Sequence, residues 1–174
     1  MTASPECRDS QLGLLSLYLG LDCQGSLAAD CLLVQGMEGT GKTFTLRHLL
    51  SQHGARLSYA FVDCIEAYQP KLLYQSILDQ LGASDVKCDN VSDFARLLAD
   101  QVGQSKAVIV LENAERLRED FSLLSVMTRL QELTRCNIST VLETRLDWSK
   151  LRPPGDVLTP GKEDVTLQQS PSDV

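Results

Sequence analysis

A chain of 174 residues with 43 % hydrophobic content is long enough for one domain with a sizeable core. Its formal net charge of -7 excludes a basic nucleic-acid binder acting through the chain as a whole, so any DNA contact is local or made by a partner. No apolar stretch approaches the length of a membrane span, and residues 1–9 lack the basic and apolar regions of a signal peptide, which predicts an intracellular, soluble protein with no membrane partner.

Residues 1–9 read as an N-terminal segment. Leucines at 12, 14, 15, 17, 19 and 21 predict a short helix over 10–21, with Ser10 as a cap. A loop over 22–30 leads into an apolar first strand, Cys31–Gln35. A glycine-rich turn then opens a helix over 43–52, where Phe44, Leu46, Leu49 and Leu50 are available to pack on a sheet and Gly54 is the stop. Residues 57–64 (LSYAFVDC) suit a pleated, half-buried surface and predict a second strand. Pro70 starts a helix through Leu81 that Gly82 closes. A polar connector over 83–90 precedes a helix over 93–102, capped by Ser92 and ended by Gly103. Lys106–Glu112 (KAVIVLE) is apolar through its middle without alternation, as in a parallel strand covered on both faces. A long helix within 121–133 and a fourth strand over 137–142 follow.

Strands alternating with helices predict an α/β domain of three layers around a parallel sheet, doubly wound by right-handed crossovers. Ligand phosphate then belongs at the carboxyl end of the first strand. The domain spans 10–152. Residues 153–174 hold prolines 153, 154, 160 and 171 without apolar periodicity, which predicts a disordered tail. The six cysteines form no CxxC pair and have no histidine at zinc-finger spacing, so they are expected to be reduced thiols.

The turn after the first strand, Gly36-Met37-Glu38-Gly39-Thr40-Gly41-Lys42-Thr43, fits GxxxxGK[ST] in full and lies between a strand and a helix, where a P-loop must lie. Its glycines let backbone N–H groups curl inward at phosphate oxygens. The helix opening near Lys42 adds the positive end of its dipole. Lys42 is expected to reach the β- and γ-phosphates, and the Thr43 hydroxyl to hold Mg²⁺.

P-loop ATPases of this strand-rich type need an acid at the tip of a second buried strand, and a neighbouring Glu to polarise the attacking water. Here that strand runs into Glu112-Asn113-Ala114-Glu115. Glu112 takes the metal position, its extra methylene moving the carboxylate by roughly 1.5 Å relative to Asp. Asn113 stands where the general base belongs, and an amide accepts no proton at neutral pH. Glu115 is either a base or a helix-start carboxylate favoured by the dipole. Weak or absent hydrolysis is the expectation, with no catalytic residue assigned. Thr144 is either a γ-phosphate contact or a strand-end hydroxyl without a ligand. Arg8 either approaches the nucleotide or is solvated. Arg116, Arg118, Arg129 and Arg135, interleaved with acids, read as a solvated helical face.

Three segments resemble the ATPase domain of the subunit 5 family of the origin recognition complex, within the AAA+ superfamily. They are GMEGTGKT (36–43), AFVDC with IEAYQPKLLYQSIL (60–78), and VIVLENAERLRE (108–119). LLSVMTRLQELTRCNISTVL and the region around Trp148 extend the likeness to about 8–152. The resemblance implies an ATP-binding subunit of a nuclear, multi-subunit ring segment that marks replication origins and helps load the replicative helicase. Its partners would be other origin recognition complex subunits and, through the complex, origin DNA. Carried over residue by residue, Gly36, Met37, Glu38, Gly39, Thr40, Gly41, Lys42, Thr43 and Glu112 form the ATP site, with Mg²⁺ on Thr43 and Glu112. The family pattern lacks a strong catalytic Glu after the acid, in keeping with Asn113, so ATP would be structural and stabilise the folded subunit. Two departures stand out. The family expects Asp at 112, and 174 residues end before its fifth strand, helical lid and winged-helix region, implying an incomplete core. From the residues alone, an active P-loop ATPase or kinase outside the origin complex, or an interaction module with a vestigial loop, stays open.

Overall fold

The apolar runs become strands and the leucine-spaced segments helices. In the computed structural model, which describes residues 9–21, 28–151 and 162–166, helix α1 (Asp9–Tyr18) is followed by strand β1 (Cys31–Gln35) and helix α2 (Lys42–His53). Strand β2 (Leu57–Asp63), helices α3 (Pro70–Gln80) and α4 (Val91–Val102) and strand β3 (Lys106–Glu112) come next. A 3₁₀ helix (Ala114–Glu119), helices α5 (Phe121–Thr128) and α6 (Leu130–Thr134), strand β4 (Ile138–Thr144), helix α7 (Trp148–Leu151) and strand β5 (Lys162–Thr166) complete the order.

The sheet is parallel throughout, in the order β2-β3-β4-β1-β5. β4 therefore lies between β1 and β3, pairing Val34 with Glu143 on one side and Leu111 with Leu142 on the other. Alternate residues of β3 face opposite ways. Ile109 and Leu111 join a core with Ile77, Phe94, Leu98 and Met127, while Val108 and Val110 join a second core with Leu15, Leu46 and Leu50. Both faces are dry, which is why the run KAVIVLE shows no alternation. The three-layer α/β architecture expected of an AAA+ domain is thus present.

Local punctuation agrees at Pro70, which opens α3 after Gln69, and at Gly103, which ends α4 with φ 56°. It differs elsewhere for identifiable reasons. α1 starts at Asp9, so Ser10 lies inside the helix and does not cap it. α4 starts at Val91, and its cap is Asn90 instead of Ser92: the Asn90 side chain accepts the Asp93 N–H at 2.8 Å and donates to the Asp93 carboxylate at 2.8 Å. The single helix expected within 121–133 is two. The Thr128 hydroxyl takes the Ser125 carbonyl at 3.1 Å and the Arg129 N–H takes that of Val126, so Arg129 leaves the helical region at φ -123°, ψ 20°.

The tail requires the largest correction. Residues 153–174 were expected to be disordered and the sheet to lack a fifth strand, yet Lys162–Thr166 pairs in parallel with β1 from Cys31 to Gln35. A composition argument weighs side-chain burial, whereas an open strand edge recruits backbone N–H and C=O groups. Residues 1–8, 22–27, 152–161 and 167–174, with Arg8, Cys7 and Cys23 among them, lie outside the described residues. Cys64, Cys88 and Cys136 are free thiols, as expected. Among the described residues no helix is long and apolar enough to cross a membrane.

Candidate functional site

β1 ends at Gln35 and the chain turns sharply into α2. The turn needs a left-handed backbone at Gly39 (φ 80°) and Gly41 (φ 75°), which L side chains disfavour. A Cβ added at Gly39 would meet nothing within 4 Å, so strain and not crowding calls for glycine there, and the space beside the backbone is open. The loop braces itself through the Thr40 hydroxyl, which donates to the Met37 carbonyl at 2.8 Å. It is tied to β4 where the Gly36 N–H donates to the Thr144 carbonyl at 3.1 Å. Gly41 caps α2 without a side-chain bond, leaving the first N–H groups of a 12-residue helix for a ligand. Lys42 folds back across the turn. Its Nζ donates to the Gly36 and Met37 carbonyls at 2.8 and 2.9 Å, and the residue is 8 % exposed.

Facing the loop are the carboxyl ends of β3 and β4. The Thr43 hydroxyl donates to Glu143 Oε1 at 2.7 Å, and Glu143 Oε2 is buried without a partner. Burial pushes the Glu143 carboxyl above its ordinary range, the Thr43 bond and the Lys42 charge opposing and the Glu112 charge adding. Glu112 pairs instead with Arg47 of α2 at 3.2 Å, and that guanidinium lies 4.1 Å over the Phe61 ring. Asn113 adopts the left-handed region at φ 53°, which Asn tolerates, and its amide donates to Asp63 Oδ1 at 2.9 Å. Asp63 Oδ1 also accepts the Ile65 N–H.

Glu115 opens the 3₁₀ helix. Its Oε1 accepts from Arg145 Nε at 3.2 Å, and Arg145 Nη1 lies 3.5 Å from Glu38 Oε2. Arg145 thereby bridges the loop and the 3₁₀ helix. Burial raises the Glu115 carboxyl, but its own backbone N–H, the Thr144 hydroxyl and Arg145 together outweigh that and hold it below the usual range. It is ionised at neutral pH, with Oε2 buried and unpaired.

These groups enclose a cavity of about 470 Å³, within the range of small-molecule sites. Glu38, Gly39, Gly41, Lys42, Thr43, Glu112, Glu115 and Thr144 all line it, so the sequence-derived set converges except for three members. Gly36 and Met37 act behind the loop by holding Lys42, and Thr40 acts as its brace. Two charged lining residues escaped the sequence reading, Glu143 and Arg145, as did the apolar Phe44 and Ile65. An acid in a strand whose seven residues are all buried is the signal that could have found Glu143. Among the described residues, no three acids, histidines or cysteines group as a self-sufficient metal cage. Arg116 and Arg129 pair with Glu119 and Glu132 at the surface, as a solvated face should.

Cys64 follows β2 beside these acids. Burial first, then the Asp63, Glu115 and Glu112 charges, push its thiol up to about 12. Only thiolate alkylates. Iodoacetamide at pH 8 should therefore leave Cys64 unmodified in the native protein and modify it in urea, as read by peptide mass spectrometry; rapid native labelling would contradict this burial.

Residues 27–145 match the sequence family described as AAA domain. The chain belongs to that family. This AAA domain is 30 % identical over 162 residues to Origin recognition complex subunit 5 of Homo sapiens, covering 84 % of the chain and 36 % of that protein. It is 34 % identical over 154 residues to Origin recognition complex subunit 5 of Drosophila melanogaster, covering 83 % of the chain and 33 % of that protein. The chain thus spans about a third of the length of these curated relatives. Its backbone matches a chain in the structure of Drosophila ORC bound to DNA with a TM-score of 0.83 at 29 % identity, over 94 % of this chain and 43 % of that one. The likeness to subunit 5 carried by 36–43, 60–78 and 108–119 is therefore found again at the level of whole sequence.

Proposed function

We propose that this AAA domain binds ATP with Mg²⁺ at the carboxyl ends of β1, β3 and β4 and serves as the nucleotide-holding part of an origin recognition complex subunit. The observation that carries the reading is Lys42, an almost buried ammonium held over the Gly36 and Met37 carbonyls beside an uncapped helix start. A third N–H donor remains on Nζ, and all three can turn to phosphate oxygens. When bound, Mg·ATP supplies a polyanion whose charge the cation partly neutralises. The 36–43 loop would present backbone N–H groups to it, Lys42 would supply a point charge, and the Thr43 hydroxyl with a strand-end carboxylate, Glu112 in the motif pattern, would hold the cation.

ATP is held more than it is turned over. The position next to Glu112 is an amide already bonded to Asp63, which accepts no proton. The relatives named as origin recognition complex subunits support membership of a nuclear assembly with the other subunits. A net charge of -7 favours contact with origin DNA through the complex over direct binding. Support for helicase loading would follow from that membership.

One observation favours the rival reading of an active ATPase. Glu115 is ionised, lines the cavity and keeps one oxygen unpaired. Single-turnover hydrolysis by the wild type and Glu115→Gln decides between them. We expect both to retain bound ATP with rates within about two-fold of each other. Wild-type hydrolysis that falls by about 100-fold or more in the variant, the size of a general-base contribution, would establish the ATPase instead.

A further inference from the structure

We propose that Glu143, at the end of β4, is the carboxylate that positions the bound divalent cation, a role the sequence pattern gives to Glu112 at the end of β3. This deepens the Mg·ATP reading and rests on it.

Sheet order supplies the geometry. β4 is interposed between β1 and β3, and Glu143 pairs with Val34, next to the point where β1 gives way to the loop. Its carboxylate is therefore closer to the 36–43 loop than one carried on β3 would be. Glu143 is 8 % exposed, one oxygen is bonded to Thr43 at 2.7 Å, and the other is buried without any partner while the residue lines the cavity. A buried carboxylate oxygen without a partner has its desolvation uncompensated, so its position calls for a ligand.

The direction of the Thr43 bond adds chemistry. A hydroxyl has one proton and two lone pairs. With its proton committed to Glu143, the lone pairs are free for a hard cation, the orientation that oxygen ligation requires. Glu112 is differently engaged. Its Oε1 pairs with Arg47, whose guanidinium is in turn seated on Phe61, so its charge is already partly neutralised.

The electrostatic balance of the cavity points the same way. Glu38, Glu112, Glu115 and Glu143 line it together with Lys42 and Arg145, an excess of negative charge facing a polyanionic ligand. A divalent ion relieves that repulsion, and Mg²⁺ needs only one or two protein carboxylates besides substrate phosphates.

The test is equilibrium titration of the full chain with a fluorescent ATP analogue, in Mg²⁺ and in EDTA, for wild type, Glu143→Gln and Glu112→Gln. Wild type should bind more tightly in Mg²⁺. Glu143→Gln should lose about ten-fold of that enhancement while affinity in EDTA is unchanged or rises, because a like charge has left the phosphate site. Glu112→Gln should lose less. An unchanged enhancement in Glu143→Gln, or an equal or larger loss in Glu112→Gln, overturns the assignment and leaves the ATP reading standing. No binding by wild type in either buffer overturns both. Should Glu143→Gln melt below the assay temperature, Glu143→Asp keeps the charge and withdraws it by roughly 1.5 Å. It should show a partial loss of the enhancement, and a wild-type ratio would refute the role.

Discussion

Replacing Lys42 with alanine is expected to weaken ATP binding by about 100-fold or more while the chain still folds. Hydrogen bonds to charged groups contribute about 1.5–3 kcal/mol each, and loss of two corresponds to at least two decades in affinity. The same ammonium is held in the free protein by the Gly36 and Met37 carbonyls. Those acceptors sit in the loop that rims the cavity, where water can replace the lysine, so stability should fall by only about 1 kcal/mol. Titration with labelled ATP reads the first effect and a thermal melt reads the second. Equal affinity in wild type and Lys42→Ala would remove the loop from the binding site altogether.

The largest loss of stability is expected at Phe94, on the opposite side of the sheet from α2. Its ring is fully buried and stacked on Tyr74 with centroids 4.3 Å apart and planes 15° apart, joining α4 to α3. Phe94→Ala should cost about 4 kcal/mol for the cavity and lost burial, with about 1 kcal/mol more for the aromatic pair. Against a total of about 5–15 kcal/mol for an ordinary domain, that is a large fraction. The midpoint of thermal unfolding should drop by roughly 10 °C or more. Phe94→Leu, which keeps most of the volume, should lose less than half as much. Nucleotide affinity of the folded fraction should be unchanged, because the pair belongs to the core that excludes Leu46, Leu49 and Leu50 of α2. A shift below about 2 °C would mean that this core relaxes around the missing ring.

Strands that are buried on both faces were the most legible part of the chain. β1 and β3 have the limits that their apolar runs predict, because a continuous apolar run bounded by polar residues is tied to burial itself. Boundaries set by single hydrogen bonds were less legible. Asn90 and Ser92 are both good caps, and only the Asp93 N–H decides between them. The break at Arg129 depends on one threonine hydroxyl, which a periodicity argument does not see. β5 was missed for a different reason: its pairing is main-chain to main-chain along β1, and carries no side-chain periodicity of the kind that was sought.

For the site, the local pattern 36–43 led to the loop, and β3 led to Glu112, because each motif is contiguous in sequence. Glu143 is joined to Thr43 across one hundred residues, and such a pairing exists only after the sheet order is known. The strand's limits are read as 137–142 and its end is weighed through Thr144 as a γ-phosphate contact, which passes over the neighbouring Glu143. The strand in fact continues to Thr144.

The interposed strand also has a consequence for biosynthesis. β1 and its glycine loop leave the ribosome before either strand that flanks β1, since β4 and β5 both follow β2 and β3 in the chain. At about 5–20 residues per second, the apolar segment Cys31–Val34 waits on the order of ten seconds for its first strand partner. During that interval Leu32 and Val34 have Leu15, Leu46 and Leu50 to pack on, but both backbone edges of the strand stay unpaired. β2 and β3, by contrast, adjoin in the sheet and can pair sooner. A nucleotide that recognises the finished loop would then act as a latch, engaging only molecules in which β4 has joined β1.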